Sequence, residues 1–210
     1  MAGLDTKTHV NTLRGAQRIG QPERDGLYGL QWGDPEKKPA LVHVRDYWLL
    51  PYVCADHVGL EIGPGGGRWT RYMVPFRLLY AVEYYPELLA EFRKNFTRPN
   101  IVEVLNNGTD FPGVRPGSVD FVFSFGVFVH LERDTIGAYL TNLRSIVRPA
   151  ARIVIQYSDK DKKAARQNPG FSDNDPRRMR AMVEGAGYDI HEEDVVTLPH
   201  SSIMRFSPAA

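Results

Sequence analysis

Short apolar segments recur along the chain from residue 58 onward, and polar or amphipathic stretches separate them. Apolar runs of about four to eight residues that are bounded by turn residues are typical of buried strands. They predict strands at 58–61, 78–82, 101–105, 120–125 and 152–157. The stretches between them predict helices at 69–74, 86–95 and 135–147. Strands that alternate with helices form a parallel sheet covered on both faces, which is an α/β fold.

The C-terminal part of the chain predicts one more helix and two more strands. Asp175 followed by Pro176 is typical of a helix start, and Gly185 of a helix end. Segments 189–197 and 202–207 then flank a Pro-His-Ser turn, as in an antiparallel hairpin. The expected architecture is therefore a seven-stranded, mostly parallel sheet with a C-terminal antiparallel hairpin and helices on both faces.

The N-terminal residues lack this pattern. Residues 1–40 are polar, rich in glycine and proline and weakly periodic, with Tyr28, Leu30 and Trp32 as apolar points. They predict an N-terminal arm, which is either a frayed tail or a lid over a site. The remaining residues, 41–210, are predicted to form one domain.

Two segments next to the main pattern carry expectations of their own. Residues 41–56 predict a helix packed beside the first strand. Residues 160–175 are polar and predict a mobile loop. Lysine and arginine are frequent from residue 160 to residue 180, but acids are interspersed with them, which favours a solvated face over a phosphate or RNA site.

Composition narrows the class of protein. The chain has 210 residues, enough for one well-buried domain, and a formal net charge of +1, which gives no support to a nucleic-acid partner. Its single cysteine, Cys54, excludes an internal disulfide framework and a cysteine-cluster metal site. No signal core and no apolar run of about 20 residues is present, so we expect no membrane span and a cytoplasmic protein.

The segment with the most chemical information follows the first predicted strand. Glu61 ends the apolar run, and Gly63, Gly65, Gly66 and Gly67 come directly after it. A strand that stops at a bare-backbone turn allows a nucleotide-like ligand to lie on the main chain. A phosphate site would offer amides and positive charge, so a carboxylate there indicates a ligand that carries a cationic amine.

A second acid, Glu83, ends the second predicted strand about 20 residues later, where an acid receives two ribose hydroxyls. A dinucleotide would use the same geometry and is the alternative ligand. Its fingerprint, G-x-G-x-x-G, needs glycine at the sixth position, which is Arg68 here.

These motifs resemble those of the class I S-adenosylmethionine-dependent methyltransferases. The family motif E/D-x-G-x-G-x-G is matched by residues 61–67, and its second acid by Glu83. Segments 105–111, 118–125 and 148–155 match three further motifs in order, with alanine at both glycine positions of the last one. The resemblance covers roughly residues 55–207. It implies a Rossmann-like fold, S-adenosyl-L-methionine as the cofactor and S-adenosyl-L-homocysteine as the product.

The resemblance also implies where each part of the cofactor lies. Gly63, Gly65 and Gly67 would pass close to the homocysteine part, and Glu61 would lie near its amino group. Glu83 would hold the ribose.

The remaining contacts implied for the cofactor come from two later segments. Asn107, Gly108 and Thr109 would edge the adenine. Phe125 would lie near the sulfonium end, or it is a plain core aromatic.

Methyl transfer from a sulfonium needs alignment of the nucleophile and, for an alcohol, a base with a pKa near neutrality. His130, in the segment Phe-Val-His-Leu-Glu after strand four, is the candidate base. Alternatively it caps the following helix or shapes the pocket. Glu132 or Asp134 could orient it, although Asp134 is expected to cap the helix that starts near Thr135.

Asp159 follows the fifth predicted strand at the same sheet edge. It is a second base, a metal ligand together with Glu132, or a solvated loop acid, which is the favoured interpretation. His200 could reach the acceptor or serve only in the turn. The need for a divalent metal therefore stays open, and the sequence predicts no metal site.

The segment 123–132, with the pattern F-S-F-x-x-x-V-H-x-E, is similar to sugar and glycoside O-methyltransferases. The predicted function is methyl transfer to a hydroxyl of a small-molecule acceptor, with a carbohydrate as the first candidate. A homodimer is possible, and the sequence does not decide the oligomeric state. One alternative is N-methylation of a metabolite, protein or nucleic acid, although residues 124–127 depart from the N/D-P-P-Y/F motif of nucleic-acid enzymes. Another is a non-catalytic cofactor-binding module.

Overall fold

The computed structural model describes residues 27–209. Its strands form one seven-stranded sheet in the order β3-β2-β1-β4-β5-β7-β6. The strands are β1 (Val58–Ile62), β2 (Leu78–Glu83), β3 (Ile101–Leu105), β4 (Val119–Ser124), β5 (Val147–Ser158), β6 (Tyr188–Asp194) and β7 (Ser201–Pro208). The α-helices are α1 (Pro39–His43), α2 (Thr70–Met73), α3 (Pro86–Arg93), α4 (Arg133–Ile146), α5 (Lys163–Arg166) and α6 (Pro176–Gly185).

The direction of the strands agrees with the prediction. β1 pairs in parallel with β2 and β4, β2 with β3, and β4 with β5. β7 then pairs antiparallel with both β5 and β6. The α/β class, the mostly parallel sheet and the antiparallel C-terminal strands are confirmed.

Apolar side chains cover the sheet on both faces because successive strand residues point to opposite sides. On one face, Val122 lies in the same apolar cluster as Leu140 of α4 and Val183 of α6. On the other face, Phe121 and Phe123 pack with Met73, Phe76 and Trp48. The sheet is therefore the middle one of three layers. Its buried strands carry polar side chains mainly at their ends.

The prediction of one helix over residues 41–56 is right only in part, because helical turns cover residues 39–52 but are of three types. Helix α1 passes into a π-helix, Val44–Leu49, and then into a 3-10 turn, Leu50–Tyr52. Pro51 has no N–H to donate, so the α-helical ladder cannot continue through it.

The expectation for residues 160–175 is also wrong in part. The segment contains α5, and it buries Phe171, Ser172 and Asn174. The side chain of Ser158 donates to the carbonyl of Ser172 at 2.8 Å, which ties the segment to the end of β5. Long-range burial of this kind leaves no periodic signal in the sequence.

Helix and strand ends show one confirmed cap and two corrections. Asp175 caps α6 as predicted, since its carboxylate accepts from the N–H of Arg178 at 2.8 Å. Asp134 does not cap α4, which begins one residue before it. β6 ends at Asp194 rather than at residue 197, because that carboxylate accepts from the next N–H groups and turns the chain.

Within the described part of the chain, no helix has the length and apolar character that a membrane span requires.

Candidate active site

The residues singled out by the sequence lie where the parallel strands end. The carboxyl ends of β1, β2, β3, β4 and β5 share one edge of the sheet, and ligands of open α/β sheets bind outside this edge. Residues 63–67 form the turn from β1 toward α2 and are called the glycine loop below. The sheet therefore brings the first acid, the second acid and the β4 turn to one place.

Two glycines of this loop are required by its packing. Gly63 and Gly67 have φ of +73° and +95°, which side chains rarely adopt. A Cβ at Gly63 would lie 2.1 Å from Val127 Cγ2, and one at Gly67 would lie 1.9 Å from Phe96 Cε2. The glycines thus bring the loop against the β4 turn on one side and the end of α3 on the other.

Glu61, the predicted partner of an amino group, is buried at the end of β1. Its carboxylate accepts a hydrogen bond from Thr70 Oγ1 at 2.5 Å, which fixes its direction. Burial raises the pKa of Glu61 to about 7, while the Thr70 hydrogen bond and the positive charge of Arg68 act in the opposite sense. A buried acid of this kind gains from a cationic ligand that restores its charge.

Glu83, the predicted ribose acid, links β2 to the glycine loop. Its side chain accepts from the N–H groups of Tyr84 at 2.9 Å, Tyr85 at 3.2 Å and Gly65 at 3.4 Å. Burial raises the pKa of Glu83 to about 7 although these donors favour the ionised form. The two acids therefore lie in one site, with the glycine loop held to the second of them.

The predicted adenine edge is a tight turn after β3. Asn107 Oδ1 accepts from the N–H of Thr109 at 3.1 Å and of Asp110 at 3.2 Å, and Asp110 accepts from the N–H of Asn107 at 2.8 Å. Gly108 has φ of +107°, as this turn requires. The side-chain oxygen of Asn107 thus supports the turn itself, and the adenine contacts stay a prediction.

Arg68 is a site residue that the sequence pattern does not indicate. Its guanidinium is buried, lies over the rings of Trp69 and Phe125 at 5.5 Å each, and donates to the carbonyl of Gly33 at 3.3 Å. Burial lowers its pKa to about 10, and the charge of Glu61 opposes this shift. In the sequence, Arg68 is notable only because it breaks the dinucleotide fingerprint. Its burial could not be predicted, since it depends on Gly33, 35 positions away.

Phe125 belongs both to the core and to this site. Its ring lies 4.8 Å from that of Trp69 and 6.4 Å from that of Phe123, inside an aromatic cluster. One face of the ring meets Arg68. The structure therefore places Phe125 beside the buried cation, and its position relative to the sulfonium stays a prediction.

His130 is half-buried in the turn between β4 and α4. Its Nδ1 lies 2.8 Å from the carbonyl oxygen of Gly170, and its ring meets the edge of Phe171 at 5.4 Å. Because a carbonyl can only accept, Nδ1 carries the proton, and the lone pair of the neutral ring is on Nε2. This is the tautomer that a general base needs.

His200, from the turn before β7, lies on Phe171 as well. The rings of His200 and Phe171 are 5.2 Å apart and meet edge to face. Burial lowers the pKa of His200, and the positive charge of Lys162 lowers it further. The structure thus brings both candidate histidines to the same aromatic side chain.

Asp159 is buried, so its interpretation as a solvated loop acid is wrong. It accepts from Ser202 Oγ at 2.6 Å and lies 3.5 Å from Lys162 Nζ. These contacts attach the end of β5 to β7.

Glu132 is the N-cap residue of α4. Among residues 27–209 no group of three His, Cys, Asp or Glu side chains could hold a metal ion, and a catalytic role for either acid stays a prediction.

Part of the N-terminal arm lies on the glycine loop, while residues 1–26 are outside the described residues. Tyr28 is buried, and a Cβ at Gly66 would lie 2.5 Å from Tyr28 Cβ. Asp34 pairs with Arg71 at 2.6 Å. The close approach of Tyr28 explains why residue 66 is a glycine, although the family motif accepts any residue at that position.

Comparison with known proteins agrees with this fold. A family model described as a methyltransferase domain matches residues 60–155. The CcbJ methyltransferase of Streptomyces caelestis shares the fold with a TM-score of 0.64 and 17% identity, over 80% of this chain and 90% of that chain. A methyltransferase of Mesorhizobium loti that depends on S-adenosylmethionine gives a TM-score of 0.67 and 11% identity, over 82% and 99%. No curated protein sequence matches the chain at a significant level.

A third structure is the glycopeptide N-methyltransferase MtfA, solved with S-adenosylmethionine, with a TM-score of 0.60 and 14% identity over 74% of this chain and 82% of that chain. At such identities the likeness defines the fold alone. The family model matches residues 60–155, and the fold is the Rossmann-like fold of S-adenosylmethionine-dependent methyltransferases. The residues present fit this cofactor, because Glu61 and Arg68 offer buried charges of opposite sign to an amino-acid group and Glu83 follows β2.

The raised pKa values of Glu61 and Glu83 predict a pH dependence of cofactor binding. Both carboxyls are protonated well below their pKa of about 7, and in the predicted site both would bind the cofactor as carboxylates. The affinity for S-adenosylhomocysteine should therefore rise with pH by up to about tenfold per unit and per group below pH 7, and level off above it. Calorimetric titration at a series of pH values measures this. A Glu83→Gln variant should show a shallower slope, and an affinity that falls as the pH rises toward 7 would contradict the assignment.

Proposed function

We propose that the protein transfers a methyl group to a hydroxyl of a small molecule, with His130 as the general base. The observation that carries the proposal is the hydrogen bond between His130 Nδ1 and the Gly170 carbonyl, at 2.8 Å. It fixes the ring and leaves the lone pair on Nε2, at the sheet edge where the glycine loop also lies. S-Adenosylmethionine, when bound, supplies a methyl group already activated on a sulfonium.

The chain's own residues then have two tasks. Glu61, Arg68 and Glu83 would hold the amino, carboxylate and ribose groups of the cofactor, so that its orientation is set by fixed charges. His130 Nε2 would take the proton of the acceptor hydroxyl while the Gly170 carbonyl continues to accept from Nδ1 and stabilises the imidazolium. Arg68 is assigned to the cofactor carboxylate because its buried guanidinium donates to only one hydrogen-bond partner among residues 27–209, the carbonyl of Gly33.

A sugar or glycoside is the first candidate acceptor. The support is the resemblance of residues 123–132 to sugar O-methyltransferases, together with the polar ring of His200 on Phe171 and the charge of Lys162 that acts on His200. Methyl transfer to nitrogen is the second candidate, since MtfA acts on glycopeptide nitrogen with the same fold.

Product analysis distinguishes these two candidates. The protein would be incubated with methyl-labelled S-adenosylmethionine and matched pairs of acceptors that differ only in carrying a hydroxyl or an amine. We expect label on the hydroxyl compounds, and loss of that labelling in His130→Ala. Labelling of the amines alone, retained in His130→Ala, would contradict O-methylation, because an amine carries its own lone pair and needs no base at high pH.

We also propose that the arm from residue 27 to residue 38 is a lid on the cofactor. Its support is the close packing of Tyr28 against Gly66 and the ion pair between Asp34 and Arg71. Gly66→Ala should displace the arm while the other loop glycines keep their packing. We expect S-adenosylhomocysteine to dissociate several-fold faster and proteolysis before residue 39 to accelerate. Unchanged rates of both processes would contradict the lid.

A further inference from the structure

A cavity of about 450 Å³ lies at the edge of the sheet opposite to the glycine loop. This volume is in the range of small-molecule sites. Its floor is apolar and comes from Val58, Leu78 and Tyr80, near the starts of β1 and β2. Three arginines are also among its lining residues: Arg77, Arg115 and Arg148.

The positive charge around this cavity is only partly compensated. Asp120 pairs with Arg148 at 3.3 Å, and its other oxygen accepts from the N–H of Val58 at 2.8 Å. The side chains of Arg77 and Arg115 make no ion pair or hydrogen bond with any residue in the described part of the chain. Three arginines therefore line one cavity, and among the described residues only Arg148 of the three is paired with a carboxylate, that of Asp120.

The backbone positions that carry these arginines are held in place. The N–H of Arg77 donates to the carbonyl of His57 at 3.0 Å. The hydroxyl of Ser118 donates to the carbonyl of Arg115 at 2.6 Å, and the N–H of Ser118 donates to Ile146 at 2.8 Å. A pre-formed site loses less conformational entropy when a ligand binds.

We propose that this cavity binds an oxyanion, phosphate or carboxylate, attached to an apolar or aromatic body. Guanidinium groups match the two-oxygen geometry of both anions, and the floor of Val58, Leu78 and Tyr80 suits the body of the ligand. The site is distinct from the methyl-transfer site, because the two lie at opposite ends of the parallel strands. The inference does not depend on which acceptor is methylated.

Calorimetry on the full chain tests the proposal, with S-adenosylhomocysteine saturating the cofactor site. The probes are phenyl phosphate and benzoate. Inorganic phosphate tests the anion alone, and benzyl alcohol tests the aromatic body alone; these two compounds are called the separate halves. The site variant is Arg77→Gln combined with Arg115→Gln. The matched control is Arg98→Gln combined with Arg133→Gln, which changes the charge equally at two exposed arginines outside the cavity.

We expect one of the two probes to bind the wild-type protein at one site and to weaken at least about tenfold in the site variant only. The tighter probe identifies the anion. Absence of binding to the wild-type protein, equal weakening in both double variants, or equal binding of either separate half would overturn the proposal.

Discussion

Replacing His130 with alanine is expected to lower turnover by about a hundredfold or more, because a positioned base contributes roughly this factor to catalysis. The affinity for S-adenosylhomocysteine should stay within about twofold, since the acids and glycines proposed to hold the cofactor lie at or after the ends of other strands. Turnover is measured with labelled S-adenosylmethionine, and affinity by calorimetry. The expected separation of the two readouts distinguishes a catalytic side chain from one that only supports the fold.

His57→Ala is the matched control for this variant. His57 is exposed just before β1, at the other edge of the sheet, and its hydrogen bonds to other residues of 27–209 all come from its backbone. Its removal should leave turnover unchanged. If turnover of His130→Ala equals that of the wild-type protein, His130 is not the base, and a loss of cofactor affinity in parallel with turnover would point to a structural role.

The second large effect is expected for Gly67→Ala. The backbone at Gly67 has φ of +95°, and the new methyl group would lie 1.9 Å from Phe96 Cε2. The left-handed backbone costs roughly 1–2 kcal/mol and overpacking roughly 1–3 kcal/mol. We expect a thermal midpoint lower by several degrees and loss of detectable S-adenosylhomocysteine binding, because the loop must move to relieve the contact.

Gly137→Ala is the control for this substitution. Gly137 lies inside α4, and apart from its chain neighbours and its own helix backbone no atom of residues 27–209 lies within 4 Å of a Cβ built there. Alanine is favoured over glycine in a helix by roughly 1 kcal/mol, so the midpoint should stay equal or rise. A Gly67→Ala protein with wild-type midpoint and cofactor affinity would show that the loop does not need a glycine at this position.

The parallel sheet and the glycine loop could be predicted because their signals are local. The apolar runs of β1, β2 and β3 end within one residue of the predicted positions, and the acids Glu61 and Glu83 stand next to the turns that expose them. In a sheet buried on both faces, a strand needs only an apolar run and a turn to be recognised. The order of elements then brings the strand ends to one edge without further information.

The parts that were not predictable depend on contacts between distant residues. Arg68 is buried because Gly33 and Phe125 meet it, and neither residue is near it in the sequence. Phe171 lies in a polar segment, yet it packs between His130 and His200. Single hydrophobic residues in polar stretches carry no period, so their burial follows only from the tertiary structure.

A crystal structure with S-adenosylhomocysteine bound tests the proposed site most directly. It should show the ribose hydroxyls on the carboxylate of Glu83, the amino group at Glu61, the carboxylate at Arg68 and the sulfur on the side of His130. A cofactor bound elsewhere, or with its ribose away from Glu83, would contradict the assignment of this sheet edge as the methyl-transfer site.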